Sequence, residues 1–211
     1  MTLNIYARFH TINLLLPLLR AGAELHGLAR VHSCLGGGRE APINESDLEL
    51  KQPGNYGLKK QFAHAIVTTD LVFERWAHAP ENAGVAFIHQ FPGYVQTNQV
   101  PVFEGLRKPF EWFFRGLEWA AAPLAIGLEE SGQRTLHSAC GRAYAPKDGR
   151  DAKGVEVAIG SDGVKGSGAY ILHWDGTSVG KQEILQPMRE RDLGETLEEH
   201  FRDVVRRVTK K

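Results

Sequence analysis

Segments of helical period alternate with short apolar runs of β type along this chain, and that alternation restricts its fold more than any other feature. From Leu3 to about Ala23, the residues Tyr6, Phe9, Ile12, Leu15, Leu16 and Leu19 recur at helical spacing, with Pro17 as a kink or break. Ala29 to Leu35 is a short β-type run that closes in Gly36-Gly37-Gly38. Tyr56 to Ala79 reads as one long helix, with Phe62, Ala65, Ile66, Thr69, Val72, Phe73 and Trp76 on a stripe. Val85 to Phe91 is a second strand, broken by Pro92-Gly93. Phe103 to Cys140 is helical and rich in aromatics, with interruptions at Pro109 and Pro123. A glycine-rich loop from Gly160 to Gly168 precedes a third strand, Ala169 to Trp174, and Leu193 to Val208 is a charged helix. This order predicts parallel strands joined by helical crossovers: a mostly parallel α/β sheet with helices on both faces, in one domain over residues 1–211. In such sheets ligands gather at the carboxyl ends of the strands, so chemistry is expected in the loops after Leu35, Phe91 and Trp174.

Charge narrows the partners. Lysine plus arginine and aspartate plus glutamate both number 25, which gives no basic footprint for nucleic acid. Two cysteines, Cys34 and Cys140, outside any CxxC or Cys/His cluster, suit a reducing compartment, and a cytoplasmic location is expected. Ile12 to Leu19 followed by Ala21-Gly22-Ala23 mimics a secretory signal, but Arg20 interrupts it and the helical spacing favours an amphipathic helix packed on a core. No membrane span is expected, because the most apolar later stretch, Pro109 to Leu128, carries Glu111, Arg115 and Glu118. The nine histidines form no HxH or HExxH, so no metal site is expected. No GxSxG surrounds Ser33, Ser131, Ser161 or Ser167, which argues against a serine hydrolase.

Tyr56 and Lys60 carry the most chemistry. Four residues apart on a helix, a phenol and an ammonium share one face. A phenol alone titrates near pH ~10; an adjacent cation favours the phenolate and brings proton transfer toward neutral pH. The bland alternative is a helix start on the surface with a solvated lysine. His32 and His89 lie on the strands, where histidines are more often satisfied core residues than acid–base groups.

Three motifs in order, the strand ending in Gly36-Gly37-Gly38, the pair Tyr56/Lys60, and Phe91-Pro92-Gly93-Tyr94-Val95-Gln96-Thr97 after the next strand, resemble the second half of a short-chain dehydrogenase/reductase. Leu15 to Leu19 and the segment Gly160 to Tyr170 are similar to the divergent fungal members of that family. The resemblance covers nearly the whole chain. It implies a Rossmann-like sheet, bound NADP or NAD, and interconversion of a ketone and an alcohol on a small apolar molecule, in a fungal secondary-metabolite setting.

By that resemblance Tyr56 gives its proton to the carbonyl oxygen, and Lys60 bonds the nicotinamide ribose. Pro92 and Gly93 line the nicotinamide, and Thr97 sits near its amide or the diphosphate. Ser33 is read either as structural or as the ligand of the substrate oxygen; Tyr94, Phe110 and Phe113 would contact substrate. The aromatic set Phe103, Phe110, Trp112, Phe113, Phe114 and Trp119 is either core or an apolar substrate lid. The family's opening strand and TGxxxGxG turn are not in the sequence, so only the C-terminal part of the full fold is expected, with marginal stability or self-association through an open sheet edge. The competing expectation is a non-catalytic remnant or pairing subunit of such an enzyme.

Overall fold

The computed structural model describes residues 2–27, 29–95, 116, 125–150, 152 and 154–210. A π-helical turn, Thr2–Ala7, runs into α1 (Arg8–His26), which ends at Gly27 in the left-handed region with its N–H on the Ala23 carbonyl. Then follow β1 (Arg30–Cys34), α2 (Leu58–His78), a short 3-10 turn (Pro80–Asn82) and β2 (Ala86–Gln90). The remainder contributes α3 (Leu128–Cys140), β3 (Ala169–Leu172), α4 (Gln182–Arg189) and α5 (Leu193–Thr209). None of the described helices is long and apolar enough to cross a membrane.

The three strands form one parallel sheet in the order β1-β2-β3, as the alternation of elements predicts. Cys34 is level with Gln90, and Gln90 with Leu172, so the three carboxyl ends lie side by side. β2 is central and wholly buried, which is why its sequence, Ala-Phe-Ile-His-Gln, shows no alternation.

The sheet separates two apolar layers. On one face Val31, Phe87 and Ile171 pack with α1, α2, α4 and α5, and Phe9, Phe73, Trp76 and Phe201 interlock by ring contacts 5.5–6.2 Å apart. On the other face Ala86, Ile88, Tyr170 and Leu172 meet Tyr144, and α3 covers the end of β1. Helices therefore lie on both faces, in a partial Rossmann-like arrangement.

Three expectations change. The helix expected from Tyr56 starts at Leu58, with Gly57 extended as its N-cap. The reason lies upstream: the Asp47 carboxylate accepts the N–H groups of Lys51 and Gln52 and the Asn55 amide, which winds residues 47–55 into turns. Second, α2 is buried nearly all round from Ala63 to Ala77 rather than along one stripe, whereas Phe62, placed on that stripe, is exposed. Pro17 does not end α1, which continues nine residues beyond it to His26.

Candidate functional site

The carboxyl edge of the sheet is where polar side chains converge. His32 and Gln90, on neighbouring strands, point to the face covered by α3. Gln90 Nε2 donates to the His173 carbonyl at 3.1 Å, which leaves its Oε1 as acceptor for Ser138 Oγ at 2.7 Å and for His32 Nε2 at 2.9 Å. Above them runs a shelf of rings and guanidiniums. Arg39 lies 4.1 Å over Phe91, Phe91 contacts His173, His173 contacts Trp174, and Arg134 lies 4.3 Å over Trp174.

The opposite face of the same edge is closed. Gly36 N donates to His89 Nε2 at 3.1 Å, and His89 Nδ1 stands 2.6 Å from Asp70 Oδ1. A side chain on Gly37 would meet the His89 carbonyl oxygen at 2.5 Å, and one on Gly38, at φ +83°, would meet Val179 at 2.8 Å. The triple glycine thus lets backbone approach backbone, not an external phosphate. Glu40, buried, holds this loop by accepting from Gly38 N at 2.8 Å and Lys181 N at 3.1 Å.

Tyr56 is exposed and lies two residues before α2, so it does not share a helical face with Lys60. Lys60 Nζ points to the Gly54 carbonyl at 3.4 Å. The α2 residue that packs under the glycine loop is Ile66, six residues further along. Ser33 is buried, and its hydroxyl accepts from Arg8 of α1. Pro92 and Gly93 sit half-buried just past β2; a side chain on Gly93 would meet Ile126 and Trp174. Tyr94 is exposed, and its carbonyl accepts from Ile126 N. Thr97, Phe110 and Phe113 lie outside the described residues, as do Phe103, Trp112, Phe114 and Trp119.

Sequence reasoning did not foresee Gln90, Arg39, Arg134 or His173 at this edge, because their convergence depends on strand register. His32 and His89 lie on β1 and β2 as expected, but a histidine on a strand carries no local signal of the partner it meets. A groove of about 550 Å³ opens elsewhere, between the end of α2 and α5; its charges already pair with one another, as Arg189 with Glu74 and Arg75 with Glu198. Among the described residues no group of three or more His, Cys, Asp or Glu side chains could hold a metal ion.

No protein-family model matches the chain, and no solved structure matches it. Among curated proteins it is 36% identical over 94% of its length to "Oxidoreductase AN1596" of Emericella nidulans, covering 58% of that protein. It is 31% identical over 97% of its length to "Oxidoreductase andH" of Emericella variicolor, covering 59%. It is 30% identical over 93% of its length to the "NmrA-like family domain-containing oxidoreductase notO" of an Aspergillus species, covering 54%. The chain is thus similar to fungal oxidoreductases along almost all of its own length, and it spans less than two thirds of theirs.

Proposed function

We propose that this chain forms the substrate side of a nicotinamide-dependent oxidoreductase that interconverts a ketone and an alcohol on a small apolar molecule, within fungal secondary metabolism. One observation carries the reading. A parallel sheet gathers its polar and aromatic side chains at the carboxyl edge, the ligand side of such sheets, in a chain that is similar throughout to proteins named oxidoreductases. Two free cysteines suit a reducing, cytoplasmic setting.

The described residues fit the two ends of NAD or NADP unequally. Pro92 and Gly93, past β2, suit the nicotinamide end, with Thr97 further along the same segment. A diphosphate needs open backbone N–H groups where a glycine loop enters a helix. The Gly36–Gly38 loop is packed against His89 and Val179, and Gly160 to Gly168 leads into β3. Neither makes that cradle.

The chemistry assigned to this chain is therefore proton delivery. Tyr56 gives its hydroxyl proton to the carbonyl oxygen, and the Lys60 ammonium stabilises the phenolate left behind. Both side chains are exposed, and the only polar contact described for the lysine is the weak one to the Gly54 carbonyl, so each is free to turn onto a ligand. Substrate would lie across the aromatic shelf, with Tyr94, Phe110 and Phe113 as its apolar contacts, while Ser33, buried against Arg8 on the other face of β1, fits the structural reading.

Titration of the purified chain with NADPH and NADH, followed by tryptophan fluorescence, tests the reading. Saturable binding at millimolar concentration is expected, and its absence with both cofactors sinks the catalytic proposal. Tyr56→Phe should then lower turnover on mixed carbonyl substrates on the order of 100-fold at unchanged cofactor affinity. A second reading, a pairing subunit, draws on β1 standing at the end of the described sheet with one side unpaired. Light scattering that finds only monomer removes it.

A further inference from the structure

Cys34 ends β1 with its side chain exposed, and its Sγ lies 3.6 Å from Nδ1 of His32. Which ring nitrogen carries the proton follows from the hydrogen bonds on the far side of the ring. The His173 carbonyl can only accept, so the atom of Gln90 that faces it is the amide nitrogen. Gln90 Oε1 can then only accept, so His32 Nε2, 2.9 Å away, is the donor. The lone pair of the imidazole therefore sits on Nδ1, facing the sulfur. Nucleophile, base and an amide that holds the base in one tautomer stand in line, the arrangement by which a neutral thiol is activated.

Surroundings favour a neutral pair. Burial holds His32 below its ordinary value, which keeps the imidazole uncharged at rest and makes it a weaker base than a solvated histidine. Crowding around the sulfur pushes the Cys34 thiol up, against the opposing pull of the Thr135 hydroxyl and the Arg8 guanidinium. Cys34 is thus not a standing thiolate; it needs its base at the moment of attack.

We propose that Cys34 is a covalent capture site for electron-poor alkenes, the α,β-unsaturated carbonyl class, with His32 as its general base and Gln90 as the positioning residue. The step is redox-neutral. The S–H bond breaks with its proton passing to His32 Nδ1, and the sulfur electron pair forms a C–S bond to the β-carbon. The alkene π pair moves to the carbonyl as an enolate, and the proton on Nδ1 returns to the α-carbon, which leaves a thioether. Once formed, the imidazolium keeps its Nε2–H on Gln90 Oε1, with Ser138 Oγ a second acceptor at 3.2 Å. Capture requires no dinucleotide, so it stands or falls separately from the oxidoreductase reading.

The molecule carries its own reference, because Cys140 at the end of α3 is also free and exposed. The intact chain is treated with substoichiometric N-ethylmaleimide, an electron-poor alkene, at pH 6.5, 7.25 and 8. The adduct at each cysteine is then timed by peptide mass spectrometry. Cys34 is expected to react at least tenfold faster than Cys140 at pH 6.5, with a flatter pH profile. His32→Gln should lower the Cys34 rate on the order of 100-fold and leave the Cys140 rate unchanged, which also reports that the variant is folded. Gln90→Met, which keeps the volume but cannot hold the tautomer, should lower the Cys34 rate partway. Cys34 labelling no faster than Cys140, or a ratio indifferent to His32→Gln, overturns the proposal. If Gln90→Met perturbs the Cys140 rate as well, His32→Gln alone decides.

Discussion

His89 Nδ1 stands 2.6 Å from Asp70 Oδ1 in the interior, with the side chains 1% and 0% exposed. The Gly36 N–H donates to the other ring nitrogen, so Nδ1 carries the proton and donates to Asp70. This is a neutral contact, not an ion pair. Burial lowers His89 to about 3, and burial with the nearby Glu40 and Glu74 carboxylates holds Asp70 well above the usual carboxylate range.

The two groups push stability in opposite directions with pH. Between pH 6.5 and about 3, the unfolded chain takes up a proton at His89 that the folded chain refuses. Its contribution is whole above pH 6.5 and falls on acidification by about 1.4 kcal/mol per pH unit. Asp70 keeps a proton that the unfolded chain releases above about pH 4, so its contribution falls as pH rises. In urea denaturation from pH 4.5 to 7, His89→Gln should gain on the parent as pH falls, and Asp70→Asn as pH rises. Differences flat in pH would refute the neutral pair.

Arg189 clamps Glu74 with two 2.7 Å bonds, its Nη2 also reaches the Ser161 carbonyl at 2.9 Å, and its Nη1 donates to Gln182 Oε1 at 2.8 Å. Both side chains are largely buried, at 17% and 7%. Arg189→Leu strands a buried carboxylate and should cost about 3–5 kcal/mol, while the double variant with Glu74→Leu should recover most of it. Denaturant midpoints measure both; a loss under about 1 kcal/mol would mean that water replaces the guanidinium.

Gly37 and Gly22 separate two uses of glycine. Gly37→Ala would press a methyl group to 2.5 Å from the His89 carbonyl oxygen and should destabilise the fold by at least about 1–3 kcal/mol. Gly22 lies within α1 with nothing inside 4 Å, so Gly22→Ala should stabilise by roughly 0.5–1 kcal/mol. Thermal melts of the two variants should move in opposite directions.

Pro17 sits exposed inside α1 and removes one helical N–H. Pro17→Ala should therefore raise stability by up to about 3 kcal/mol. An unchanged melting temperature would show that α1 already absorbs the missing bond.

Much of the fold was legible before any coordinate. The runs Ala29 to Leu35, Val85 to Phe91 and Ala169 to Trp174 declared themselves as strands by short apolar stretches closed by glycine, proline or a turn, and their alternation with helical segments implied parallel pairing; the strands formed end one or two residues earlier, at Cys34, Gln90 and Leu172. The start of α2 was not legible. Tyr56 fits a helical template as well as a turn, and what places it outside is the Asp47 carboxylate capturing N–H groups four and five residues ahead. α4 escaped notice because eight residues with an internal proline make too short a periodic signal.

The sequence by itself determined the order of elements and the parallel sheet, because each follows from local periodicity and chain connectivity. Only the tertiary structure decided which side chains meet at the carboxyl edge of that sheet. Burial class can be guessed from residue type, but a partner fifty or more positions away cannot. His32 finds Gln90 and His89 finds Gly36 through strand register and crossover geometry, and the identity of each partner then fixes which nitrogen holds the proton.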